Sequence, residues 1–562
     1  MRKFLSLLLT LICLFSTQTA WSIDYSLHGY YRVFLDWSLD LDTQHASTFA
    51  QGNQTGNNRF THILFAQHRM RLEPTLKIND NLSVHGTVDV LDNVLFGQND
   101  INSISINDPI AGTLQLPGGN GSFGVTGAGA GDIITGGGGS INVRRLYVDI
   151  LTPVGKFRIG RQASHWGLGI ISNDGNGMFD KFGDTFDRFL YIGKVDLNDT
   201  SSLALGLITD FAFNAQEDPQ LTGLTQRIVG FESGTYQLAG FALYQRPHFE
   251  IGTFGGARLR KGTHARISNG AIDDNGATVD GALDGDTSMW FADLYAKFEK
   301  GPITAKVEYV HLGGKISTGI CINAFQNVSG TNPVPDPLCL DGSNLLNVNM
   351  AALEVEGKHD FGGNWKLISG FAQGDSSPLS HNITQFGFRP DYDVGLLLFN
   401  IPMGTSPAVQ VNGDTKLGNV PITGNRVNNA IYVGATYMHE FDISRAIPQA
   451  QYLKVGAHVV TAWAPSRVIN LDFGEITGAT GAPTFINKSR WYGVEGDLIV
   501  EGKFFDHLTW NLTGGLFFPG GAYDIRNDAA ASNQIFGVPV NAVIQDTAEM
   551  AYAVRSTLFL EF

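Results

Sequence analysis

Hydrophobic and polar residues alternate along long stretches of this chain. From Tyr25 the odd positions read Tyr25, Leu27, Gly29, Tyr31, Val33, Leu35, Trp37, Leu39 and Leu41, while the even ones read Ser26, His28, Tyr30, Arg32, Phe34, Asp36, Ser38 and Asp40. A period of two with one greasy and one mostly polar face predicts a strand lying between two environments. The run is longer than the roughly 5–6 residues of a typical globular strand and meets the roughly 9–11 that a tilted membrane strand needs. The next segment puts Leu64, Ala66, Met70, Leu72, Leu76 and Ile78 on one face, interrupted by His68 and Pro74, and Gln67, Arg69, Arg71, Glu73 and Lys77 on the other. After the turn Asn79-Asp80-Asn81 the pattern resumes, with Leu82, Val84, Gly86, Val88 and Val90 opposed to Ser83, His85, Thr87 and Asp89.

Connection lengths alternate as well. Short turns are predicted near 79–81, 152–155, 196–200, 246–248, 299–302, 360–364, 441–451 and 503–507; long loops span roughly 42–60, 92–140, 164–186, 214–234, 261–287, 313–345, 374–427, 464–489 and 519–545. Short turns on one side and long loops on the other are the pattern of a transmembrane antiparallel up-and-down β-barrel. Nine long loops and eight short turns imply 18 strands. Weaker alternation over 186–260 leaves 16 as the alternative, an even number being expected. The final segment alternates Tyr552, Val554, Leu558, Leu560 and Phe562 with Ala553, Arg555, Thr557, Phe559 and Glu561. A closing strand that ends in an aromatic resembles the signal read by the barrel-assembly machinery. A soluble β-sandwich also alternates, but a Gly-rich loop such as 92–140 would be unusual in a compact soluble domain.

Composition sharpens this reading. Charged residues make up 16% of the chain, against about 25% in soluble domains. The 68 glycines and 11% aromatic residues suit turns and interfacial girdles. The formal net charge of −15 argues against a nucleic-acid partner, which would want a basic patch. Arg2 and Lys3, the apolar run Phe4–Phe15 and Ala20-Trp21-Ser22 read as a signal peptide, so residues 1–22 are expected to be removed and 23–562 to form the barrel. Strand one then begins within a few residues of the cleavage point, which leaves no room for an N-terminal plug of the siderophore-transporter kind. Cys13 leaves with the leader. Cys321 and Cys339 are expected to form a disulfide, worth about 3 kcal/mol if it closes a flexible loop. No His or third Cys lies between them, so neither a metal site nor any cofactor is expected.

A barrel of this size is wide enough to hold an aqueous channel, so the polar faces are read as pore lining. They contribute Arg32, Asp36, Arg69, Arg71, Glu73, Lys77, Asp89, Arg145, Asp149 and Arg158 early in the chain, and Glu308, Glu354, Glu356, Glu495 and Asp497 later, with Lys306 and Lys358 among them. Arginines gather early and carboxylates late, which suggests a basic wall facing a more acidic one and a transverse field across the pore; the alternative is pairing between neighbouring strands. Loops 92–140 and 374–427 are long enough to fold inward. The Asp-rich loops 164–186 and 261–287 hold oxygen ligands of the kind calcium likes, without helix-loop calcium spacing.

The stretches "TPVGKFRIGRQASHWGLGI", "FRPDYDVGLLLF" and "GLFFPGGAYD" resemble those of large porin-like outer-membrane proteins of myxobacteria and related deltaproteobacteria, which are similar in plan to the alginate-export channels. The resemblance implies an 18-stranded barrel in the bacterial outer membrane, in contact with lipid and lipopolysaccharide, and carries over no substrate-binding residue. The function expected is a porin-like channel for passive or weakly selective passage of small hydrophilic solutes. The alternatives are a substrate-specific sugar or polysaccharide transporter of alginate-export type and a barrel enzyme. An enzyme is disfavoured, because Ser164 and His165 are adjacent and so face opposite ways on a strand. Nothing in the sequence marks an oligomeric interface.

Overall fold

A computed structural model closes the alternating segments into one barrel. It describes residues 23–41, 43, 62–96, 141–214, 234–260, 267–272, 278–281, 287–316, 344–375, 382–405, 409–411, 414–417, 421–466, 489–524, 534–535, 538–539 and 547–562. The expected leader, Cys321 and Cys339, and most of loop 92–140 lie outside the described residues.

The barrel strands are β1 Asp24–Leu39, β2 His62–Asn79, β3 Leu82–Leu95, β4 Ile141–Thr152, β5 Gly155–Ala163, β6 Thr185–Asn198, β7 Ser201–Asn214, β8 Gly234–Arg246, β9 Phe249–Arg260, β10 Thr287–Lys300, β11 Ile303–Ile316, β12 Asn344–Lys358, β13 Gly363–Ala372, β14 Ala430–Phe441, β15 Ala450–Trp463, β16 Trp491–Phe504, β17 Leu508–Pro519 and β18 Ala551–Glu561. Each pairs antiparallel with its chain neighbour, and β18 returns to β1 with Phe559 opposite Arg32 and Arg555 opposite Asp36. Closure leaves no unpaired edge, a condition for backbone crossing a bilayer. The count is 18, and the weakly alternating stretch forms β6–β9 in full. A two-residue strand, Asn382–Ile383, adds in parallel against β12 and belongs to a loop. No helix occurs among the described residues.

Burial is inverted relative to a soluble protein. The largest fully buried side chains begin with Arg32, Arg69 and Arg71, whereas Leu35, Trp37, Leu64, Leu207, Leu294, Leu498 and Leu560 are exposed. Pairing such as Leu35↔Ala66 and Trp37↔Leu64 carries the apolar band from strand to strand. Only lipid makes that band favourable, because apolar surface left in water forgoes about 25 cal/mol per Å². Leu294→Arg on β10, 56% exposed, is therefore expected to cost about 2–4 kcal/mol near the bilayer midplane. Denaturant titration of protein folded into phospholipid vesicles measures this; an unchanged midpoint would mean the outer face does not touch lipid.

The inside departs from the expected polar lumen. Val310 and Leu312 of β11, Leu346, Val348 and Met350 of β12, Tyr432 of β14 and Val460 of β15 face inward and join Ile170, Phe388 and Leu396–Phe399 in one apolar cluster. Two connecting segments thus pack inside the barrel on a greasy patch of its wall.

Candidate functional site

The first segment, 164–184, joins β5 to β6. Gly167, Gly169, Gly175 and Gly183 all have positive φ, which lets it turn tightly enough to fit within the wall. The second, 382–402, lies in the long connection between β13 and β14. The two segments meet. Asp391 accepts the backbone N–H groups of Lys181 and Phe182 at 2.9 and 3.0 Å, Arg389 pairs with Asp184 at 2.6 Å, and the Arg389 N–H donates to the Ile170 carbonyl. Loop 374–427 is long enough to fold inward, and its described stretch 382–402 does. Within segment 164–184 the oxygen-rich side chains have protein partners: Asp174 bonds Asn176, Asp180 accepts the Gly177 N–H and Asp184 engages Arg389.

The arginines grip this first segment by its carbonyls. Arg32 donates to Met178 and Asp180 carbonyl oxygens at 3.0 and 2.6 Å. Arg69 bonds the Lys181 carbonyl and Asp92, Arg71 the Gly175 carbonyl and Asp89, and Arg145 the Asp174 carbonyl and the Asn176 side chain. Arg158 forms a fork with Asp149, and Asp36 pairs with Arg555 of β18 and Lys181. The carboxylates opposite grip both segments by their amides. Glu308 accepts Leu168 N–H, and Glu495 accepts Leu397 and Leu398 N–H at 2.7 and 2.6 Å. Asp497, beside Glu495, accepts from Leu396. Glu354 takes the Tyr392 hydroxyl and Lys366, and Glu356 takes Lys306 at 3.2 Å. Glu73 is half-buried, and Lys77 reaches Asp80 at the short-turn end.

This arrangement revises the expectation of two bare charged walls. Arg32, Arg69 and Arg71 are at most 1% exposed, so the basic wall is covered by the segment it holds. In its place the segments present Asn176 and Asp393 to water. Asp393 is exposed although Arg555 of β18, Lys181 and Asp180 of the other segment, and Asp391 surround it. Solvent therefore reaches the level where the two segments meet. Burial and the neighbouring Asp391 push the Asp180 carboxyl up to about 6.

Charged groups that the expected pore lining does not include are Asp293 on β10, Arg188 on β6 in the weakly alternating stretch, and Lys181, Arg389, Asp391 and Asp393, which sit on aperiodic loops. Asp293, 0% exposed, takes Trp166 Nε1, and Arg188 forks onto Asp210 and reaches Ser164.

A closed barrel with an even strand number, an apolar exterior and charges inside is the architecture of bacterial outer-membrane proteins, and this chain is one of them. No family model matches it, and no curated protein does. Solved structures similar to it include the outer-membrane channel DcaP of Acinetobacter baumannii, 11% identical over 97% of this chain and 99% of that one with TM-score 0.37. Also similar are OccK9 (OpdG) of Pseudomonas aeruginosa, 10% identical over 96% and 99% with TM-score 0.40, and OmpT of Vibrio cholerae, 12% identical over 97% and 99% with TM-score 0.33. At these scores the likeness carries no argument about cargo, and the resemblance to myxobacterial and alginate-export proteins finds no support in these comparisons.

Proposed function

We propose that the protein is a channel that passes small hydrophilic solutes across the outer membrane, narrowed by the segments 164–184 and 382–402, with an acidic water-facing surface at the narrowing. One observation carries this reading: Asp393 is in contact with solvent while enclosed by groups from β18 and from both segments. The predicted pore-lining residues act mainly as the mounts of the narrowing, and the arginines behind it are spent on carbonyls. That weighs against acidic polysaccharides as cargo, because they would need those guanidinium groups.

Planar bilayers containing the protein should show discrete conductance steps, and reversal potentials in a salt gradient should show preference for cations. Burial between the segments and the neighbouring Asp391 push the Asp393 carboxyl up to about 7, so in baths above that pH Asp393→Lys replaces a negative charge by a positive one and should shift the reversal potential toward the anion side. Silent bilayers with verified folded protein would end the channel reading. An unchanged reversal potential in Asp393→Lys would end the assignment of selectivity to this residue.

A further inference from the structure

A second apolar patch lines the barrel interior, and the in-folded segments leave it half-open. The stretch 186–260 alternates weakly because its inward positions are apolar as well as its outward ones. Ile192 of β6, Ile208 of β7, Phe241 and Leu243 of β8 and Phe254 of β9 all face inward. Where the segments seat on the wall, Val310, Val348 and Met350 are 0% exposed. Here Ile192, Phe241, Leu243, Phe291 of β10 and Trp166 of the first segment remain half-buried. Apolar surface left in lumen water is unfavourable, and seating of the segments does not remove it. The rings are contiguous. Trp166 stands 5.8 Å from Phe241 and 5.5 Å from Phe254, and Phe254 stands 4.9 Å from Phe291, centroid to centroid. Glycines let them lie close against the wall: a Cβ on Gly206 would fall 1.9 Å from the Phe241 ring, and one on Gly252 would fall 2.9 Å from Trp166 Cη2. The Trp166 indole is fixed by its Nε1, which donates to Asp293 at 3.1 Å. Tyr295, opposite Gly252 on β10, adds a half-buried ring at the edge of the patch. The next inward row toward the short turns is polar, with Gln245, Glu250, Lys297 and Lys306 paired in register.

We propose that this ladder of rings is a binding subsite for a sugar, which stacks one face on Trp166 and Phe241 and sets its hydroxyls against Tyr295, Glu250 and Lys297. The proposal rests on the channel reading and names a class of solute for it. A pyranose carries C–H groups on its faces and hydroxyls around its rim. It therefore matches a wall that is aromatic in one row and hydrogen-bonding in the next. Carboxylate, ammonium and phenol groups accept from or donate to hydroxyls without a change of charge. An aromatic acid would stack equally well, but it would need a cation to spare. Lys297 is held by Glu299 at 2.6 Å and Lys306 by Glu356 at 3.2 Å, and Glu250 adds a negative charge beside Lys297. A neutral, hydroxyl-rich ring displaces none of these partners. Phe291 and Tyr295 lie on one inner face of β10, about 13 Å apart along the strand. A sugar can thus move from ring to ring beside the narrowing, and Trp166 belongs to the segment that makes it.

The test is saturation-transfer difference NMR of the folded protein in deuterated detergent micelles, with maltotriose as probe and sorbitol and benzoate as comparisons. Maltotriose should show saturation strongest on the C–H protons of one ring face. Sorbitol, which has the hydroxyls without the ring, should show little. Phe241→Leu with Tyr295→Leu keeps apolar volume and removes two aromatic faces, and should weaken maltotriose binding about three- to tenfold for each ring. Phe241→Tyr keeps the ring and should bind as the wild type does. No saturation of maltotriose, equal binding in the leucine variant, or tighter binding of benzoate than of maltotriose would each overturn the subsite. If the double variant fails to fold, Phe241→Leu alone replaces it with the same outcomes. This readout needs no ion current. Conductance steps without sugar binding reject the subsite alone, and silent bilayers with sugar bound reject the channel alone.

Discussion

Arg71→Ala is expected to destabilise the folded protein by about 3–5 kcal/mol, the cost of removing one partner from a buried ion pair. Arg71 forks onto Asp89 at 2.6 and 2.8 Å, with both side chains at most 1% exposed. Its Nη1 also holds the Gly175 carbonyl. Truncation leaves the Asp89 carboxylate inside the barrel with Arg69 and Arg144 only at 3.8 Å, too far for a direct hydrogen bond. That residual attraction places the loss toward the lower end of the range. Arg71→Lys restores the charge without the planar fork and should recover part of the loss. Unfolding by denaturant in lipid vesicles gives both numbers, and a loss under about 1 kcal/mol for the alanine variant would show that water already solvates Asp89.

The same residue shows where the sequence was legible. Arg71 shares a face with Arg69 and Glu73 in a strict period of two, so its inward direction follows from pleat geometry alone. The same logic gives most of the strands, the short turns and the exposed band, because lipid on one side imposes a uniform requirement along the wall; over 186–260 the alternation is weaker, which is why 16 strands stood as the alternative to 18. What the arginine binds did not follow. Its partner Gly175 lies 104 residues away in the sequence, in a segment without periodicity, and a carbonyl carries no sequence signal. The filled part of the interior left a fainter trace. In β12, Leu345 and Leu353 are exposed to lipid, yet Leu346, Val348, Met350 and Ala352 on the opposite face are apolar too. Lost alternation in a membrane strand means the inner face touches protein instead of water. The patch it predicts is where Ile170 and Leu397 pack. The inward carboxyls are half legible: Glu495 and Asp497 fall at i and i+2 on one face, whereas Asp293 and Glu308 come near each other only through strand pairing, two residues out of register.

Two glycine substitutions separate strain from seating. Gly167→Val is expected to dislodge segment 164–184 and raise single-channel conductance several-fold, since the narrowest part of a pore dominates its resistance. Gly167 has φ +58, and a Cβ there would fall on the Glu308 carboxylate. A β-branched residue in the left-handed region costs about 1–3 kcal/mol, and the collision makes seated geometry inaccessible in addition. Gly301 in the β10–β11 turn supplies the control, with φ +59 and nothing within 4 Å of its would-be Cβ. Gly301→Val should therefore carry a similar backbone penalty, seen as a lower denaturant midpoint, with wild-type conductance. Equal conductance in both variants and the wild type would mean the first segment does not limit the pore. A rise in both would trace the change to general loosening of the barrel. A rise confined to Gly167→Val ties the flow of ions to the contact between one backbone turn and one buried glutamate, Glu308.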